Sequence, residues 1–129
     1  MLGAGSAGVG VCEQIVRAMI AHPELVSGTG HACATFIHSA RGRAAVKNGA
    51  EGYYAGIVPE AGLGIALKID DGAGRASETA FAAVLDKLGL LGEDAAAQAL
   101  LKAPVTNSRN AVVGERRPAE ALAEMSFRP

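Results

Sequence analysis

The sequence predicts an α+β fold in which an antiparallel sheet is flanked by helices. Three observations carry this. Two stretches of period-two alternation, residues 53–58 and 63–69, stand on either side of Pro59-Glu60-Ala61-Gly62, the signature of a hairpin. Apolar residues recur at helical spacing before them (Cys12, Ile15, Val16, Met19, Ile20) and after them (Phe81, Val84, Leu85, Leu88). The helical patterns lie outside the block of strands, with neither a βαβ alternation nor an internal repeat.

Taken in order, residues 1–10 are nearly all Gly, Ala and Val, a poor composition for a fixed backbone. They are expected to be disordered or non-native, and residues 11–129 to form the folded part. A helix starts at Val11 and ends at Pro23, because the residue before a proline is pushed out of the α region. Ser27-Gly28-Thr29-Gly30 reads as a loop, and a short helix from His31 to Ala40 carries Cys33, Phe36 and Ile37, with Gly42 marking its end.

Val46-Lys47 leads into a turn at Asn48-Gly49, followed by the two alternating strands. Leu63, Ile65, Leu67 and Ile69 should face the core. Asp70-Asp71-Gly72 breaks the second strand, and a helix runs from Arg75 to Leu88 with Gly89 just past its end. A second helix, Glu93 to Lys102, stops before Pro104; Ala111-Val112-Val113-Gly114 forms a short strand, and the tail after Pro118 has no clear pattern.

With 129 residues the chain suits one domain, and half of it is apolar, which argues against wholesale disorder. That fraction is rich in Ala and poor in aromatics. At roughly 25 cal/mol per Å² of apolar burial such a core is modest. The net charge is −1 with mixed signs throughout, so the positive field that binds nucleic acid is absent. Arg116-Arg117, beside Glu115 and Pro118, reads as a solvated turn.

No apolar run approaches the ~20 residues that span a bilayer, and no basic segment precedes an apolar one at the start. Cys12 and Cys33 form no C-x-x-C pair and suit a reducing compartment, so a cytoplasmic location is expected. Gly3-Ala4-Gly5-Ser6-Ala7-Gly8 matches the dinucleotide fingerprint G-x-G-x-x-G. That fingerprint needs a strand before it, and only Met1 and Leu2 precede the glycines. Nucleotide binding is therefore a minor alternative.

Three further runs occur in order: 21–30 (Ala-His-Pro-Glu-Leu-Val-Ser-Gly-Thr-Gly), 46–52 (Val-Lys-Asn-Gly-Ala-Glu-Gly) and 62–72 (Gly-Leu-Gly-Ile-Ala-Leu-Lys-Ile-Asp-Asp-Gly). Together they resemble rhizobial-type (class II, thermolabile) L-asparaginases, over most of the chain from about Val11 and weakly as far as Arg116-Pro118. The likeness is to the carboxy-terminal portion of that family. It implies hydrolysis of L-asparagine to aspartate and ammonia, on part of a fold similar to serine β-lactamases and glutaminases, with a serine nucleophile activated by lysines.

Lys47-Asn48-Gly49 stands where that fold carries its Lys-Thr/Ser-Gly strand, so the resemblance makes Lys47 the catalytic lysine of this part of the chain. Asn48, Gly49, Glu51 and Cys33 are the pocket residues it implies. A serine hydroxyl is a poor nucleophile unless a neighbour takes its proton, and a lysine amine does so when burial and nearby cations favour its neutral form. From the residues alone, Lys47 reads instead as a charge that guards an edge strand, Cys33 as a small core residue and Glu51 as the end of a turn. Lys68 reads as a solvated strand residue, and no histidine as a metal ligand.

The family's serine–lysine pair and its cysteine–lysine zinc ligands belong to its earlier half, and no segment here resembles them. No cofactor is expected in this chain; zinc is implied only for the complete family enzyme, since two cysteines fall short of the usual four ligands. The chain is thus expected to be a fragment, a degenerate copy or one piece of a split product. It would be unable to hydrolyse asparagine alone and would associate as a homodimer or with an amino-terminal half. A non-catalytic module acting through such association is the main alternative.

Overall fold

The computed structural model describes the backbone of residues 2–126 and the side chains of residues 10–126. The fold is α+β. Helices α1 (Leu2–Ala21), α2 (Pro23–Ser27) and α3 (Ala32–Ser39) precede strands β1 (Ala45–Gly49), β2 (Tyr53–Val58) and β3 (Leu63–Lys68). Helices α4 (Gly74–Lys87) and α5 (Ala95–Leu101), a hairpin β4 (Ala103–Thr106) and β5 (Val112–Arg116), and α6 (Glu120–Glu124) follow. β1, β2 and β3 form one antiparallel sheet in that order, so β1 and β3 are its edges; β4 and β5 form a second, two-stranded sheet.

The core lies where α3 and α4 pack on one face of the larger sheet. Register places Val46 opposite Gly56 and Gly56 opposite Ile65, so these three share that face. Phe36 of α3, Tyr54 of β2 and Phe81 of α4 meet with ring centroids 5.1–5.9 Å apart. In a chain so poor in aromatics, this trio ties both helices to the central strand. Leu63, Ile65 and Leu67 pack against the cluster from β3, on the face their alternation predicts.

A side chain at Gly56 would put its Cβ 2.8 Å from Phe81 Cζ, which the tightly packed ring has no room to avoid. Gly56→Val is expected to lower stability by about 1–3 kcal/mol. A denaturant midpoint unchanged from that of the parent chain would refute this.

Several elements depart from the sequence expectation. α1 begins at Leu2 and not at Val11, so Gly3–Gly8 lie inside a helix. Once a helix is nucleated each added residue gains a hydrogen bond, which offsets the glycine penalty of about 1 kcal/mol. Its apolar stripe is shallower than expected: Cys12 is exposed and Ile15 is 55% exposed, while Val16, Met19 and Ile20 are half-buried.

Pro23 starts a helix as well as ending one. It sits at the first turn of α2, where its missing N–H costs nothing, with Glu24 in the same turn. The turn between β1 and β2 falls at Ala50–Gly52, two residues beyond Asn48-Gly49, with Glu51 and Gly52 at φ 57° and 70°. It is braced from the next turn: Lys68 Nζ donates to the Glu51 carbonyl (2.5 Å) and Ile69 N–H to the Gly52 carbonyl (3.1 Å). Lys68 is therefore a structural donor, not only a solvated strand residue.

β4 was not among the expected strands; Pro104 is tolerated there because in a two-stranded sheet every strand is an edge. Arg116 lies in β5 with its side chain 25% exposed and so is not part of a solvated turn, whereas Arg117, just beyond the strand, is 62% exposed. The guanidinium donates to the Ala99 carbonyl (2.6 Å) and lies 3.6 Å from Glu78, joining the hairpin to α4 and α5.

Candidate active site

β1 is an edge strand whose successive side chains alternate across the sheet. Val46 points into the core, 0% exposed, and Lys47 is exposed on the opposite face. There Lys47 lines a cavity of about 410 Å³ shared with Ala18, Met19 and His22 at the end of α1, and with Leu25 and Val26 of α2. The walls are largely apolar. Lys47 brings the cavity's ammonium group, and His22 its imidazole.

The Lys47 ammonium reaches round the strand edge and donates to Asn48 Oδ1 at 2.9 Å. That same oxygen accepts from the Cys33 thiol (3.4 Å), and the Asn48 backbone N–H donates to Cys33 Sγ (3.2 Å). One asparagine thus joins Lys47 on β1 to Cys33 on α3, fourteen residues earlier in the sequence. Cys33 is 1% exposed. Burial pushes its thiol up from the ordinary value, an effect only partly offset by the Asn48 N–H and the charge of Lys47. Burial likewise holds the Tyr54 phenol in its neutral form, with Cys33 and Glu78 adding to the effect.

A thiol so placed is a poor nucleophile, since the thiolate is the reactive form. Under native, mildly alkaline conditions Cys12 is expected to be alkylated readily and Cys33 to be spared until the chain unfolds. Mass spectrometry of the adducts checks this; equal labelling of both thiols in the folded chain would contradict it.

The other residues implied by the resemblance are placed differently. Gly49 faces Tyr53 across the hairpin, and a Cβ at Gly49 would lie 2.9 Å from the Tyr53 ring, so the ring covers the space its missing side chain leaves. Glu51 sits on the β1–β2 turn, exposed, and among the described residues it makes no ion pair with Lys47. The geometry thus brings Cys33, Lys47 and Asn48 together and sets Gly49 and Glu51 at the far end of the strand and its turn.

A family model described as L-asparaginase II matches residues 2–118. The chain belongs to the L-asparaginase II family. No curated protein matches it. Membership in the L-asparaginase II family supports an asparaginase-like function in general and a small-molecule substrate.

The zinc that the resemblance implies for the complete enzyme does not fit the residues present. Cys33 is buried against Asn48, Cys12 is exposed on α1, and no group of three or more His, Cys, Asp or Glu among the described residues could hold a metal ion. Among the described residues no helix is long and apolar enough to cross a membrane.

Sequence reasoning missed His22, Met19 and Val26 as neighbours of Lys47, because it stopped the helical region at Pro23. The signal was there: proline followed by glutamate is a common first turn of a helix. The last residue of α2 also contributes, since Ser27 Oγ accepts from the Ala34 N–H at 3.2 Å and holds the start of α3.

Proposed function

We propose that this chain carries the lysine-bearing strand of an L-asparagine amidohydrolase, and that the serine nucleophile comes from outside the unit described here. The observation that supports it most is the placement of Lys47 at the lip of a cavity, fixed through Asn48, in a chain of the L-asparaginase II family. The hydrogen bond of its ammonium goes to Asn48, and none to a serine hydroxyl is present among the described residues.

The chemistry runs in two halves. A serine Oγ attacks the side-chain amide carbon of asparagine while Lys47, as the neutral amine, accepts the hydroxyl proton. The tetrahedral intermediate collapses, the C–N bond breaks, and the lysine returns the proton to the departing ammonia. Water then attacks the seryl ester by the same proton relay and releases aspartate. Asn48 positions the lysine and Cys33 positions Asn48.

A second reading, a non-catalytic module that acts by association, draws on exposed apolar side chains: Leu25 (85%), Val112 (67%) and Val113 (62%). The third, nucleotide binding at Gly3–Gly8, has less support, because α1 takes those glycines into a helix where the fingerprint calls for a turn.

Calorimetric titration with L-asparagine tests the proposal. Binding is expected when the chain is mixed with the serine-bearing portion of a family member, and no heat is expected from the chain alone. Stable association of the two polypeptides without asparagine binding would overturn it in favour of the association module.

A further inference from the structure

We propose that the cleft between α4, the β4–β5 hairpin and the start of α6 binds a small organic carboxylate. It shares no residue with the Lys47 cavity and the inference does not depend on the asparaginase reading. The cleft has a volume of about 570 Å³, and three guanidinium groups border it: Arg75 from α4, Arg116 from β5 and Arg117 beyond it.

Charge there is unbalanced. Glu115, also on the wall, is drawn to Lys102 (3.1 Å) and Arg117 (3.9 Å), and Glu78 faces Arg116 at 3.6 Å. Three cations line the cleft (Arg75, Arg116, Arg117) against two carboxylates, Glu115 on its wall and Glu78 beside Arg116, which leaves an excess of one positive charge. Arg75 is exposed and has no ion pair among the described residues.

Arg116 is held rigidly, since its terminal nitrogens face Glu78 and the Ala99 carbonyl. Its Nε is nevertheless buried without a hydrogen-bond partner. A desolvated N–H of a cation with no acceptor is unfavourable, and an anion in the cleft lowers that cost through the field it brings.

The ligand class follows from the walls. Guanidinium groups pair with planar carboxylates through two parallel N–H···O bonds. Ala76, Ala80, Val105 and Leu122 supply an apolar surface that a bare inorganic ion leaves unused. An aliphatic body carrying a carboxylate satisfies both.

The test is an NMR titration of the isotopically labelled full chain with glutarate and, separately, with inorganic phosphate. Glutarate is expected to give saturable shifts at the amides of Arg75, Thr79 and Arg117, with a dissociation constant of about a millimolar. The double variant R75A/R117A should weaken binding at least about tenfold, the single change R75Q less, and R41A, outside the cleft, not at all. No saturable response to glutarate, undiminished binding by the folded R75A/R117A variant, or tighter binding of phosphate than of glutarate would each overturn the proposal.

Discussion

Truncating Phe81 to alanine is expected to remove most of the chain's stability at room temperature. The ring is 0% exposed, lies 5.4 Å from Phe36 and 5.1 Å from Tyr54, and fills the space above Gly56. Its loss removes the contact that holds α4 to β2 and leaves a cavity bounded by a sheet that has no other aromatic on that helix to fill it. Large-to-small changes of this kind cost about 3–5 kcal/mol. Small domains have only about 5–15 kcal/mol in total, and an Ala-rich core places this one near the lower end. Far-UV circular dichroism against temperature reads the outcome: the expected result is a fall of the melting midpoint by about 10–25 °C. A variant that melts cooperatively within a few degrees of the parent would show that the aromatic trio is not the centre of the core.

Lys47→Ala is expected to act in the opposite way, on rate and not on stability. Lys47 is exposed and its hydrogen bond runs to the neighbouring residue, so truncation should change stability by no more than about 0.5 kcal/mol. In the mixture with a serine-bearing portion of the family, ammonia release from L-asparagine should fall by about 10²–10⁴-fold, the usual contribution of a positioned acid–base group. Lys47→Arg should not restore it, because a guanidinium keeps its proton and cannot act as the base. A Lys47→Arg variant as fast as the parent would mean that residue 47 contributes only positive charge.

Much of the fold was legible because the chain states it locally. The alternation of Leu63, Ile65 and Leu67 and the turn at Pro59–Gly62 define the β2–β3 hairpin, and Phe81, Val84 and Leu85 mark the buried side of α4. What stayed hidden depends on partners distant in sequence. The turn moved from Asn48-Gly49 to Ala50–Gly52 because Gly52 and Glu51 pack against the later turn at Gly72, and no window around residue 48 contains that contact. β4 is defined by its pairing with β5, which no pattern within residues 103–106 announces.

The site divides the same way. The sequence separation of Cys33 and Lys47 hinted at proximity only through the family resemblance; the hydrogen bonds through Asn48 are what join them. Arg116 misread as a solvated turn residue for a related cause. Glu78, which it meets, lies 38 positions earlier on α4, beyond any local charge pattern.

The central claim is that Lys47 serves a serine borne by other polypeptide, and ammonia release from L-asparagine measures it most directly. Background rates are predicted for the chain alone and for the serine-bearing portion alone, with sustained release when the two are combined. Release by the combined polypeptides that continues undiminished with Lys47→Ala, or hydrolysis by the 129-residue chain with no second polypeptide present, would contradict it.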